Sequence, residues 1–239
     1  MEQPLGIEVI VLGAAWYVVL LFSLTVHEAA HAWAALRGGD RTAYLGGQVS
    51  LDPVPHIRRE PLGMVVFPLL AYAISSGGWM FGWASTPFDP AWARQHPRRA
   101  AWMSLAGPAA NLALALAAGA ALRAGLEAGV FVPEPFDFTH LVGAAEGGVA
   151  AAAATILSIT FTLNLVLFVF NLFPLPPLDG AGALGLFLPE DATRRLQEWF
   201  ASPGVALAGL LVVWFIFPRV FAPVHLAALR FLFSGVTPS

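Results

Sequence analysis

His27, Glu28 and His31 stand in the order His27-Glu28-Ala29-Ala30-His31. On a helix, residues four apart share a face, so the two imidazoles point the same way. Two imidazoles so placed can share one metal ion, and a carboxylate beside them can deprotonate a water on that metal. The chain holds 6 His, and at its composition this spacing arises by chance only about 0.006 times, so the match is informative. The run 9–36 around the motif has no charged residue other than Glu28. A charge near the centre of a bilayer costs about 2.5–3.5 kcal/mol on insertion scales, which makes any ionisable group there a functional candidate. The bland reading is a buried His–Glu pair that pins two helices.

A catalytic zinc takes three protein ligands and leaves one position open. The chain has no cysteine, so a third ligand must be Asp, Glu or His. Asp179 stands out, in Asn171-Leu172-Phe173-Pro174-Leu175-Pro176-Pro177-Leu178-Asp179-Gly180. Prolines break a helix, and a broken helix at membrane depth lines a cavity or is buried in protein. Such a break frees an acidic side chain to turn inward. The competing reading is an ordinary helix-ending loop with a solvated Asp. His56 reads as structural or substrate-facing, and only weakly as a fourth ligand.

The elements that position these groups follow from composition. The chain has 239 residues, 58% hydrophobic and 11% charged, against about 25% charged in a soluble domain. Its mean hydropathy is +0.72. This is the composition of an all-α polytopic membrane protein. At about 20 residues per span there is room for five or six transmembrane helices and no appended soluble domain. Clear apolar runs lie at 9–36, 100–122, 149–173 and 203–218, with a shorter one at 223–233. Residues 42–51 are expected to form short strands, a β-like element after the first helix. The segment 62–83, interrupted by Gly63, Pro68, Gly77 and Gly78, reads either as re-entrant or as a plain span. Arginine-rich loops around 37–41, 58–59, 94–99 and 194–195 are expected to be cytoplasmic, with the amino terminus outside and a loop at 133–140. Residues 1–8 lack a basic region and precede too long an apolar run for a signal peptide, so the first helix reads as retained. Asn111 and Asn164 read as hydrogen bonds between helices. Net charge is -3, and no basic patch suggests nucleic acid.

The two motifs together resemble the site-2 protease family of intramembrane zinc metalloproteases, which pairs H-E-x-x-H on one helix with an N-x-x-P…L-D-G segment on a later one. Leu51-Asp52-Pro53-Val54-Pro55-His56-Ile57, Phe81-Gly82-Trp83-Ala84 and Ala106-Gly107-Pro108-Ala109-Ala110-Asn111 look like signatures of its small bacterial branch without a PDZ or CBS domain. The likeness covers roughly residues 16 to 185. There are departures: Asp52 stands where that branch usually has Asn, Arg58-Arg59-Glu60 interrupts a usual Asp-Pro, Ser85 replaces a usual Lys, and Ala181-Gly182-Ala183 follows Asp179-Gly180.

The resemblance implies His27, His31 and Asp179 as ligands of one Zn2+ per chain and Glu28 as general base and proton shuttle. It implies Asn171 as a catalytic residue that orients substrate or donates to an oxyanion. It further implies a bacterial cell-membrane protease with its site toward the cytoplasmic side, acting on transmembrane protein or peptide substrates in the lipid bilayer. Residues 1–239 then form one metalloprotease domain, with a core at 9–185 and C-terminal helices at 186–239. A membrane zinc binder or transporter, or an idle helix-binding scaffold, remains the alternative. A strand at 42–51 would capture an unwound substrate by edge pairing.

Overall fold

The longest apolar run becomes the longest helix, α1 (Ile7–Gly38), of 32 residues. At 1.5 Å per residue it is about 48 Å long, more than a hydrocarbon core of about 30 Å requires. It stops where Gly39, at φ 102°, turns left-handed and donates its backbone N–H to Ala35 and Leu36, a conformation that favours glycine. This computed structural model describes residues 6–134 and 137–234. Residues 1–5, part of the expected outside terminus, and residues 135–136 of the loop expected at 133–140 lie outside the described residues.

The chain then passes through α2 (Thr42–Leu45), α3 (Pro53–Arg59) and a π-helical turn (Leu62–Val66) that runs into α4 (Phe67–Ile74). A stretch at 79–89 without helix or strand leads to α5 (Pro90–Gln95) and α6 (Pro97–Glu127). A two-stranded antiparallel sheet follows, β1 (Phe131–Pro133) with β2 (Val142–Ala144), Phe131 opposite Ala144. The chain continues into α7 (Val149–Asn171), α8 (Asp179–Ala183), a 3-10 turn (Leu184–Leu186), α9 (Glu190–Phe200) and α10 (Val205–Leu232).

Among the described residues four helices, α1, α6, α7 and α10, are long and apolar enough to cross a membrane. The chain is therefore a mostly helical, multi-pass membrane protein. The expectation was five to six spans, and two things account for the difference. The runs 203–218 and 223–233 join into α10, which carries Pro218 and Pro223 inside it; prolines are tolerated in membrane helices because neighbours and local adjustments satisfy the freed backbone groups. The segment 62–83 does not cross once. Its apolar helix, Leu62–Ile74, is short, and the returning chain comes back beside its start, where Trp83 N donates to Gly63 O at 3.2 Å. The two legs touch so closely that a Cβ on Gly82 would collide with Gly63 O.

The expectation of strands at 42–51 is corrected. Thr42–Leu45 is a helical turn, and bends follow it. The cause is Asp40, whose Oδ1 accepts from Thr42 N at 2.8 Å and Thr42 Oγ1 at 2.6 Å. A short acidic side chain bonded to the backbone two residues on starts a turn rather than a strand. Strand pairing occurs instead between α6 and α7. Burial pushes the Asp40 carboxyl up, but the hydrogen bonds from Thr42 and Asp89 outweigh it and hold it below the ordinary carboxylate value. Its Oδ2 accepts from Asp89 N at 2.8 Å, and Arg99 Nη1 and Trp92 Nε1 donate to Gly38 O. These bonds gather the C-terminal end of α1, the start of α6 and the far leg of the doubled-back segment.

α1, α6 and α7 pack on one another. Leu20, Met64 and Ile159 centre one apolar cluster, and Leu122, Leu141, Val142 and Phe221 centre another. Polar side chains cross-link the three helices in the buried layer. Asn111 Nδ2 donates to Asn164 Oδ1 at 2.8 Å, and Asn164 Nδ2 donates to Ser23 Oγ at 2.9 Å. All three residues are fully buried. In a membrane, such hydrogen bonds and small-residue contacts take the place of hydrophobic driving force between helices.

Candidate metal centre

The helical spacing of His27 and His31 brings their rings edge to face, with Nε2 atoms 3.0 Å apart. Each ring is oriented by its other nitrogen. His27 Nδ1 faces Asn111 Oδ1 at 2.5 Å, and His31 Nδ1 faces the backbone oxygen of Met103 at 2.7 Å. Asn111 commits its amide nitrogen to Asn164, so its oxygen is the atom turned to His27. Both partners are acceptors, so each Nδ1 carries a proton and each Nε2 is the nitrogen turned to the shared point.

Asp179 opens α8 and brings its carboxylate to the same point. Oδ2 lies 3.1 Å from His27 Nε2 and 3.3 Å from His31 Nε2. The proline-broken stretch before it is held in place by close contacts. A Cβ on Gly180 would meet the carbonyls of Leu172 and Phe173, and one on Gly182 would meet the Ser104 side chain of α6. α8 therefore seats directly on α6, with Asp179 toward α1.

His27, His31 and Asp179 form a group whose ligand atoms lie within 4.8 Å of one another. Their donor set fits a divalent cation of borderline softness such as zinc. Asp179 Oδ2 is buried with no hydrogen-bond donor, although it is close to two nitrogens. With both Nδ1 atoms turned to acceptors, the three atoms that converge can all serve as lone-pair donors to a positive centre. Gly107 on α6 leaves room for that centre, since a Cβ there would run into Nε2 of both imidazoles. Orientation of each ring by a second hydrogen bond is the usual accompaniment of a ligating histidine.

Glu28 is buried beside the pair. Its Oε2 accepts from Thr86 Oγ1 at 2.7 Å. Asn171 ends α7, and its Nδ2 donates to Leu167 O at 3.0 Å. His56 is not in the group: it is buried in α3 with its Nε2 against Ser50 O at 3.0 Å, a structural role. Sequence reasoning missed three contributors. Asn111 was legible as an interhelical hydrogen bonder, but not as the residue that sets the tautomer of His27. Met103 contributes a backbone oxygen, which has no side-chain signature. Thr86 lies 58 positions from Glu28, and nothing local marks it. An open groove between α1 and α6, lined by Trp33, Arg37, Arg99 and Trp102 among others, includes none of these residues.

Comparison with known proteins finds a matching family and named relatives. The family model described as "Peptidase family M50" matches residues 15–215. A protein of Bacillus subtilis (strain 168) named "Putative zinc metalloprotease YwhC" is 34% identical over 186 residues, covering 76% of this chain and 72% of that relative. "Putative zinc metalloprotease Rip2" of Mycobacterium tuberculosis (strain ATCC 25618 / H37Rv) is 36% identical over 215 residues, covering 89% of this chain and 70% of that relative. No solved structure matches the chain.

Proposed function

Because the chain belongs to peptidase family M50, the site-2 protease family, we propose that it is an intramembrane zinc metalloendopeptidase that hydrolyses peptide bonds in or near transmembrane segments of other membrane proteins. The observation that carries this reading is the convergence of three buried lone-pair donors, His27 Nε2, His31 Nε2 and Asp179 Oδ2, beside a buried carboxylate. The names of its relatives, zinc metalloproteases of bacteria, support both the metal and the reaction class.

His27, His31 and Asp179 hold one Zn2+ per chain. Bound there, zinc supplies a Lewis acid that brings the pKa of water to about 7 and polarises a carbonyl. Glu28 accepts the proton of the attacking water on its carboxylate and delivers it to the leaving amide nitrogen, so the proton balance closes within one residue. Asn171 spends one amide hydrogen on Leu167 O, and its second is available to an oxyanion on the substrate. The imidazoles stay fixed throughout, because Asn111 and Met103 hold their Nδ1 protons. Burial of the cluster keeps bulk water from competing.

The substrate must come as an unwound segment, since a helix hides its carbonyls in its own hydrogen bonds. The arginine-rich flank after the doubled-back segment lies at the C-terminal end of α1, where Arg37 stands, through the bond of Arg99 to Gly38, and Arg59 of the flank before it is bonded to Ser85 of the returning leg. That grouping favours a cytoplasmic placement of this end, with the site toward the cytoplasmic side and the amino terminus outside. Residues 1–239 act as one membrane-embedded unit.

The test is metal removal. Chain reconstituted in liposomes with a transmembrane peptide is expected to cleave it, to stop when a zinc chelator is added, and to resume when zinc is restored. Cleavage that continues undiminished after the zinc has been stripped and measured as absent would refute the reading.

A further inference from the structure

Glu28 is a carboxylate that is only 4% exposed. A carboxylate has about four acceptor sites, and a buried charge needs donors. Among the described residues one side chain supplies a hydrogen bond to it, the hydroxyl of Thr86, at 2.7 Å from Oε2 and 2.9 Å from the backbone oxygen of Glu28.

We infer that Thr86 is a positioning residue for the general base: its hydroxyl holds Oε2 of Glu28 so that the other carboxylate oxygen is left to take the proton of the attacking water. This rests on the protease reading proposed above.

Two observations support it. Thr86 is β-branched, so its χ1 is stiff and its hydroxyl is well aimed. The stretch that carries it is tethered on both sides. Ser85 O accepts from Arg59 Nε at 3.1 Å and from Gln48 Nε2 at 3.4 Å, Ser85 Oγ donates to Glu60 Oε1 at 2.5 Å, and Asp89 N is held by Asp40. The doubled-back leg thus reaches across to the catalytic carboxylate. A small misplacement of a reacting group is enough to cost a large factor in rate.

The experiment compares Thr86→Val, which keeps the shape and loses the hydroxyl, with Thr86→Ser, which keeps the hydroxyl. Thr86→Val is expected to lower kcat about tenfold, with KM, zinc per chain and thermal midpoint unchanged, and Thr86→Ser is expected to recover most of the loss. A second readout needs no turnover. With 13C-labelled glutamate, the infrared difference between wild type and Glu28→Gln isolates the Glu28 carboxylate stretch. That band is expected to shift in Thr86→Val and to return in Thr86→Ser. The inference is overturned by an unchanged kcat in Thr86→Val, by Thr86→Ser failing as badly as Thr86→Val, by zinc or stability falling in step with kcat, or by an unmoved carboxylate band. A chain that is inactive in every form counts against the protease reading, while the infrared band still decides the role of Thr86.

Discussion

Glu28→Gln is expected to lower cleavage by about 10²–10⁴-fold, the usual contribution of a general base, while zinc per chain stays at the wild-type level. The two halves of this expectation come from different parts of the geometry. The candidate metal group consists of His27, His31 and Asp179, so on the proposed reading removing the charge at position 28 takes away no ligand. Gln has the same shape and keeps an acceptor for Thr86, so the packing around it survives. What it lacks is a basic oxygen that can take a proton from water and give it to nitrogen. The comparison also separates the protease from its rivals. A zinc transporter or a helix-binding scaffold has no use for a proton shuttle and would tolerate the change. The measurement is paired, with cleavage of a transmembrane peptide in liposomes and metal analysis of the same sample. Full activity in Glu28→Gln would refute the role of Glu28, and loss of zinc would assign that residue to the ligand shell instead.

Gly107→Ala is expected to weaken metal binding by about a hundredfold, which corresponds to the upper part of the 1–3 kcal/mol range for overpacking. The sign runs against helix propensity. Ala is favoured over Gly in a helix interior by about 0.5–1 kcal/mol, so α6 itself should gain from the change. The new methyl group, however, would run into Nε2 of both His27 and His31, the atoms proposed to hold the metal. The rings have little freedom to retreat, because Asn111 and Met103 hold their other nitrogens. Competition against a zinc-binding dye measures the affinity, and the thermal midpoint of the metal-free protein reports on α6. An Ala variant that binds zinc as tightly as wild type would show that the imidazoles do not meet the metal on the Gly107 side.

How much of this was legible beforehand depended on how local each signal is. His27 and His31 could be paired from sequence because helical periodicity alone brings residues four apart together. Asp179 could be nominated because a proline-rich break in an apolar stretch is unusual, yet its meeting with the two imidazoles depends on α8 seating on α6 through Gly182, which no spacing encodes. Asn111 was visible as a polar residue in an apolar helix, while its tautomer-setting role required knowing that Asn164 takes its other end. Thr86 left no trace, because the doubled-back leg that delivers it is placed by long-range bonds to Gly63, Arg59 and Asp40. The strands expected at 42–51 failed for a local reason, the capping of a turn by Asp40. The break expected between 218 and 223 failed because membrane helices absorb proline where soluble ones do not.

The central claim is that His27, His31 and Asp179 meet on one zinc ion, and X-ray absorption at the zinc edge of the purified chain tests it most directly. The expected spectrum shows about one zinc per chain with two imidazole nitrogens at about 2.0–2.1 Å, a carboxylate oxygen at about 2.0–2.2 Å and no sulfur, and Asp179→Ala loses the metal or the carboxylate contribution. A zinc whose spectrum lacks two imidazoles, or one left unchanged by Asp179→Ala, would contradict it.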